Sequence, residues 1–361
     1  MTISARRDRL RQRLADAEID AMLVTDLVNV RYLSGFTGSN AALLVLVGDD
    51  TPVLATDGRY RTQAAAQAPD AEVVIERACG PHLAARAAAT GVRTLGFESH
   101  VVTVDAFAAL SDAADGKVEF VRAAGMIEAL REVKDAGEFA LLRRACDAAD
   151  AALQDLVQRG GLRAGRTEKQ VRNELEALML EHGADGASFE TIVATGANSA
   201  VPHHRPTEAV LAAGDFVKID FGALVGGYHS DMTRTFVLAP AAQWQHDIYG
   251  LVARSQQAGR EALAPGVVLR DVDAASRQVI ADAGYGENFG HGLGHGVGLQ
   301  IHEAPGINSA AAGTLLAGSA VTVEPGVYLP DRGGVRIEDT LAVTPEGPEL
   351  LTRFGKDLMI L

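Results

Sequence analysis

The sequence predicts an α/β domain over residues 1–131, followed by an α+β domain over residues 132–361 with a pseudo-twofold repeat of its architecture. Three observations carry this. The chain of 361 residues is longer than one ordinary hydrophobic core serves. Its first third alternates Val/Leu-rich runs of strand length with alanine-rich helical stretches. Beyond Glu132, two blocks follow one another, each a pair of helical patterns and then strands.

In chain order, Arg6, Arg7, Arg9, Arg11 and Arg13 surround Leu10 and Leu14 at helical spacing, which predicts an amphipathic helix with solvated arginines. "AMLVTD", "AALLVLVGDD" and "TPVLATD" then read as strands with acidic turns, and helices follow from Thr62 and from Pro81. Past Glu132, the side chains of Phe139, Leu142, Cys146, Ala149, Leu153 and Val157 recur at three- and four-residue steps, a long helix with one buried stripe. "GGLRAGR" stops it. Thr167 with Gln170 forms a capping-box pattern for a second helix carrying Val171, Leu175 and Leu178. Strands are expected after Ala187, helices over 243–263 and 269–283, and strands again from Val321. No fixed-period repeat or low-complexity linker is visible.

Composition excludes several functions. Lys and Arg number 33 against 47 Asp and Glu, a formal charge of -14, which argues against nucleic acid or an acidic membrane surface as a partner. The apolar runs fall short of the ~20 residues that cross a bilayer, and the arginine-rich start lacks the apolar core of a signal peptide. Cys79 and Cys146 are the only cysteines, neither in a CxxC pair. Both read as packing residues in a reducing cytoplasm. No GxSxG elbow surrounds any serine.

The stretch "GHGLGHGVGLQIHEAPG" sets His291, His295 and His302 on a glycine-rich backbone. A dinucleotide fingerprint needs glycines at i, i+2 and i+5, and the registers from Gly290, Gly292 and Gly294 fail at His295, Val297 and Leu299. Glycine at every second position from 290 to 298 also opposes a helix that would place His291 and His295 on one face. Metal chemistry is the remaining reading, with the other ligands supplied from elsewhere.

Those ligands are sought among acidic residues on strands. "FVKIDFGALVGGYHSDMTRTFVL" reads as a hairpin. A turn centred on Val225 and Gly226 is expected to place Asp220 opposite Asp231, about 5 Å apart, where like charges call for a cation between them. Glu324 ends an alternating strand before a Pro-Gly turn, and Glu338 shares a strand face with Arg336. Four carboxylates and one imidazole suit two divalent cations; Mn²⁺, Co²⁺, Fe²⁺ or Zn²⁺ fit this oxygen-rich set better than Cu⁺.

Asp220 in "KIDFG", Asp231 in "SDMTRT", His295 in "GHGVGL", Glu324 in "VEPGVY" and Glu338 in "RIEDT" together resemble the five-ligand signature of the pita-bread metallopeptidases, specifically the Xaa-Pro aminopeptidase and prolidase family. The likeness covers about 132–361, and the preceding residues are similar to the N-terminal domain of creatinase and prolidase. The resemblance implies a pita-bread fold holding two divalent ions, Mn²⁺ the first choice, with Asp231 and Glu338 bridging, Asp220 completing one site, and His295 and Glu324 the other. It further implies that a bridging hydroxide cleaves Xaa-Pro bonds, with Glu324 shuttling the proton. His203, rather than its neighbour His204, and His302 would attend the oxyanion, and His291, Tyr328 and Arg336 would shape the proline pocket. Creatinase lacks these ligands, and methionine aminopeptidase usually lacks the leading domain. Prolidases commonly carry an arginine shortly after the "HE.P" motif; Gly306 stands here, which favours an Xaa-Pro aminopeptidase over an Xaa-Pro dipeptidase. A non-catalytic binding protein of the same fold is the reading from another class, opposed by the unbroken ligand set. The resemblance also implies a homodimer acting on proline-containing peptides.

Overall fold

The structure, a computed structural model, describes residues 2–48 and 51–361; the predicted acidic turn at Asp49 and Asp50 lies outside the described residues. The chain divides into two compact units, Met1–Arg131 and Glu132–Leu361.

In the first unit, α1 (Ile3–Asp16) precedes β1 (Ala21–Val24), α2 (Leu27–Ser34), β2 (Ala41–Leu46), β3 (Val53–Thr56), α3 (Arg61–Gln67) and β4 (Glu72–Ile75). Then come α4 (Cys79–Ala89), β5 (Thr94–Phe97), α5 (Val104–Ala114), β6 (Glu119–Arg122) and the single turn α6 (Glu128–Arg131). The strands form one six-stranded sheet in the order β4-β3-β2-β1-β5-β6. It is parallel at β3/β4, β1/β5 and β5/β6 and antiparallel at β1/β2 and β2/β3. Leu23, Leu44 and Ala55 meet Leu83, Ala87 and Leu110 of the helices in its core. The opening helix departs from expectation in one respect. Arg7 and Arg11 are buried beside Leu10 and Leu14, because their guanidinium groups reach main-chain carbonyls of Leu33 (2.9 Å) and Leu46 (3.1 Å).

The second unit opens with α7 (Ala136–Gln158) and α8 (Glu168–Glu181), followed by β7 (Gly186–Ala187), β8 (Ile192–Thr195), β9 (Phe216–Phe221), β10 (Ala223–Val225), β11 (Tyr228–His229) and β12 (Met232–Val237). A second helix pair, α9 (Gln243–Glu261) and α10 (Leu269–Asp282), leads to β13 (Gly294–Gly296), β14 (Glu303–Ile307), β15 (Ala320–Val323), β16 (Gly326–Leu329), β17 (Gly333–Arg336), β18 (Asp339–Thr344) and β19 (Gly347–Leu350). Each helix pair has its own core. Leu153, Leu175 and Val171 pack on Ile219 and Phe236. Val252, Val272 and Ile280 pack on Val321, Val323 and Leu341. The Thr167/Gln170 capping box forms, and a second one at Asp135 and Glu138 starts α7.

The hairpin register differs from the expected one. The turn falls on Gly226 and Gly227, whose φ values of 55° and 80° suit a primed hairpin turn that Val225 would resist. Val225 therefore pairs with Tyr228, and Asp220 lies opposite Thr233 rather than Asp231. Asp231 stands two residues before Thr233, a diagonal neighbour of Asp220 on the same face.

The capping box yields the first prediction. Asp135 Oδ1 accepts from the Gly137 and Glu138 amides at 2.8 and 3.0 Å. Asp135→Ala is expected to lower the unfolding free energy by about 1 kcal/mol in a urea titration, and an unchanged midpoint would contradict it.

Candidate metal centre

Strand ends deliver the acidic groups to one place. Asp220 comes from β9, Asp231 from the residue before β12, Glu324 from the residue after β15, and Glu338 from the link between β17 and β18. His295 sits in the middle of β13, between two neighbouring backbones. A Cβ at Gly294 would lie 2.0 Å from the Thr322 carbonyl oxygen, and one at Gly296 2.0 Å from that of Ala304. Only glycine lets β14 and β15 close on both sides of this histidine.

Asp231, His295 and Glu338 each offer a ligand atom, all within 4.8 Å of one another. His295 Nε2 is 3.5 Å from Asp231 Oδ2 and 3.3 Å from Glu324 Oε1. Its Nδ1 donates to the Gly296 carbonyl at 3.0 Å, which aims Nε2 at the carboxylates. Asp220 takes the Arg336 guanidinium on Oδ2, and Glu338 takes the Thr233 hydroxyl on Oε2 at 2.6 Å. The other oxygens, Asp220 Oδ1 and Glu338 Oε1, are buried with no hydrogen-bond partner among the described residues.

The electrostatics follow from this crowding. Burial, and then the charges of neighbouring carboxylates, hold Asp231 and Glu338 well above the usual carboxyl range. Burial also acts on Glu324, but the hydrogen bond and charge of His295 outweigh it and lower Glu324 to about 2. His295 is raised in turn: burial works against its charge, and Glu324 prevails. Buried acceptors without donors, two acids raised by burial and by neighbouring carboxylates, and an imidazole whose Nε2 is aimed at Asp231 and Glu324 are what divalent cations would satisfy. The donor set therefore fits such ions.

A cavity of about 440 Å³ opens over these groups, walled by His203, His204, His291, His302 and Arg336 as well as the acids. His302 stacks edge-on to His295 at 4.5 Å, and burial together with the nearby His295 lowers its pKa. The His203 ring is exposed at the wall. Tyr328 is placed differently from His291 and Arg336. Buried behind the wall, its hydroxyl meets His291 Nε2 at 2.9 Å and accepts from Arg336 Nη1 at 2.7 Å, and burial pushes its pKa to about 12.

Sequence reasoning passed over three residues. Thr233 shares its hydroxyl between Arg336 Nε (2.9 Å) and Glu338, and the hairpin register was the signal for it. Lys218 is fully buried, two residues before Asp220 on the same strand face, and donates to the Val201 and Pro202 carbonyls at 2.7 and 3.3 Å. Glu168, the first residue of α8, binds His204 at 2.8 Å.

Comparison with known proteins adds to this geometry. Residues 140–345 match the model of metallopeptidase family M24, and residues 6–133 match the creatinase/prolidase N-terminal domain. A solved Xaa-Pro dipeptidase from Bacillus anthracis is 40% identical and similar in fold over 100% of both chains, with a TM-score of 0.95. An X-Pro aminopeptidase from Thermotoga maritima is 33% identical, with a TM-score of 0.90 over 98% of this chain and 99% of that one. The Xaa-Pro dipeptidase of Pyrococcus horikoshii is 33% identical over 341 residues, 94% of this chain and 95% of its own.

The raised acids predict a pH effect with a definite sign. Carboxyls whose folded pKa exceeds the unfolded value favour the fold while protonated and lose that contribution as pH rises through the folded pKa. Metal-free protein is expected to lose melting temperature as pH climbs above the ordinary carboxyl range towards neutrality, and Mn²⁺ is expected to restore it. A melting temperature indifferent to both pH and metal in differential scanning fluorimetry would contradict the site.

Proposed function

The chain belongs to metallopeptidase family M24, and from that premise we propose that it removes the N-terminal residue from peptides with proline in second position, as an Xaa-Pro aminopeptidase using two divalent ions, Mn²⁺ first among them. The observation that carries this reading is the convergence of Asp231, His295 and Glu338 within 4.8 Å beneath a wall built from His291 and Arg336.

Asp220, Asp231, His295, Glu324 and Glu338 would hold the ions. Divalent cations bound there supply Lewis acidity and make hydroxide available near neutral pH. The protein's own groups do the rest. Glu324 accepts the proton of the attacking water and passes it to the departing proline nitrogen. His203 and His302 face the cavity and donate hydrogen bonds to the oxyanion as it develops. A proline nitrogen in an Xaa-Pro bond carries no hydrogen, so recognition relies on shape, with His291 and Arg336 held in place by Tyr328.

An Xaa-Pro dipeptidase is the second reading, supported by the names of the relatives from Bacillus anthracis and Pyrococcus horikoshii. Against it, Gly306 on β14 pairs opposite His295 and offers no guanidinium to a dipeptide's carboxylate. One assay series decides. Mn²⁺-loaded enzyme is expected to cleave Xaa-Pro-Yaa tripeptides, while Asp231→Ala and Glu338→Ala stay folded and lose activity by at least about 10³-fold. Cleavage of Xaa-Pro dipeptides alone would select the second reading, and substantial turnover by either variant would refute the site.

The compartment proposed is the cytoplasm, supported by two buried free cysteines; no helix among the described residues is long and apolar enough to cross a membrane. The assembly proposed is a homodimer. Sedimentation equilibrium at micromolar concentration is expected to return twice the chain mass of 37.8 kDa, and a single-chain mass would reject it.

A further inference from the structure

Outside the acidic cluster, one buried carboxylate is saturated with donors that all come from one stretch of chain. Glu168, the first residue of α8, has no exposed surface. Its Oε1 accepts from the Thr195 amide and from Asn198 Nδ2, both at 2.9 Å. Its Oε2 accepts from His204 Nε2, from the Thr207 amide and from the Thr207 hydroxyl, each at 2.8 Å. A helix start needs nothing of this kind, for Thr167 already caps α8. A buried ionised carboxylate is costly unless fully bonded, and these donors flank His203 on both sides in sequence. Lys218 also holds the Val201 carbonyl at 2.7 Å, and Arg336 holds that of Pro202 at 3.2 Å. The backbone on either side of His203 is thus fixed, while its own ring is exposed at the cavity wall.

We propose that Glu168 is a positioning residue that sets the His203 imidazole against the reacting bond, acting through His204 and Thr207 rather than through any contact with substrate. The chemical task of His203 rests on the function proposed above; its placement by Glu168 does not.

A double-mutant cycle on Mn²⁺-loaded enzyme with an Xaa-Pro-Yaa tripeptide tests it. Glu168→Gln keeps the shape of the side chain but loses acceptor capacity, and is expected to lower kcat about 10- to 100-fold, with KM changed by less than about threefold. Combined with His203→Ala it is expected to add nothing, so that the double variant matches His203→Ala alone. Losses that multiply would overturn the proposal, as would an unchanged kcat in Glu168→Gln. A second readout needs no turnover. Relaxation of ¹³C-labelled histidine in the metal-free protein is expected to show an ordered His203 ring that becomes mobile in Glu168→Gln; equal mobility in both would overturn the proposal. Should the wild type cleave no Xaa-Pro peptide, the proposed function fails, and ring mobility still decides the role of Glu168. Should Glu168→Gln not fold, His204→Phe removes a donor from the same carboxylate, and the same outcomes apply to it.

Discussion

The constraint on which this structure turns is the repulsion among carboxylates brought into one buried space. Asp231 and Glu338 are almost inaccessible to solvent, and Asp220 and Glu324 act on them through space. Apolar burial alone would disperse such groups towards water. What holds them is the strand framework, whose ends converge, together with positive or donating groups placed behind them: Arg336 on Asp220, Thr233 on Glu338 and His295 on Glu324. On Asp220 and Glu338 the supporting contact satisfies one oxygen and leaves the other buried without a hydrogen-bond partner among the described residues. The arrangement makes sense as a cation site and is poorly suited to plain structural packing.

The two helix-pair blocks explain how the framework is kept rigid. Each pair buries an apolar face against its own strands, so the strand ends are fixed from behind by independent cores. Asp231, Glu324 and Glu338 then sit beside strand termini or in a link, and Asp220 is one residue inside the end of β9. His295 is the exception, and the glycines beside it allow the flanking backbones to approach it.

Much of this was legible in the sequence because helical periodicity is a strong signal. The stripe through Leu142, Cys146, Ala149 and Leu153, and the capping residues at 167 and 170, correspond to observed elements. The order of the five proposed ligands was legible through motifs, and the structure draws those side chains around one cavity. The hairpin register was missed by one position on each strand, since a Val-Gly turn was assumed where two glycines at positive φ form it. Lys218 and Glu168 escaped for a different reason. Each acts through contacts with residues far away in sequence or through main-chain carbonyls, and no local pattern records such partners. Arg7 and Arg11 illustrate the same limit: a helical pattern shows which face they share, not that distant carbonyls will receive them.

Arg336 touches Asp220, Thr233, Tyr328 and the Pro202 carbonyl with one planar group. Under the proposed function, the cation site and the peptide pocket would share this one guanidinium, and any coupling between the two ligands would be reciprocal. Retuning selectivity by altering this side chain would disturb ion retention at once. The rim of the cavity carries the exposed ion pair of Arg205 with Glu190, and under the proposed function variation in the accepted peptide would fall there.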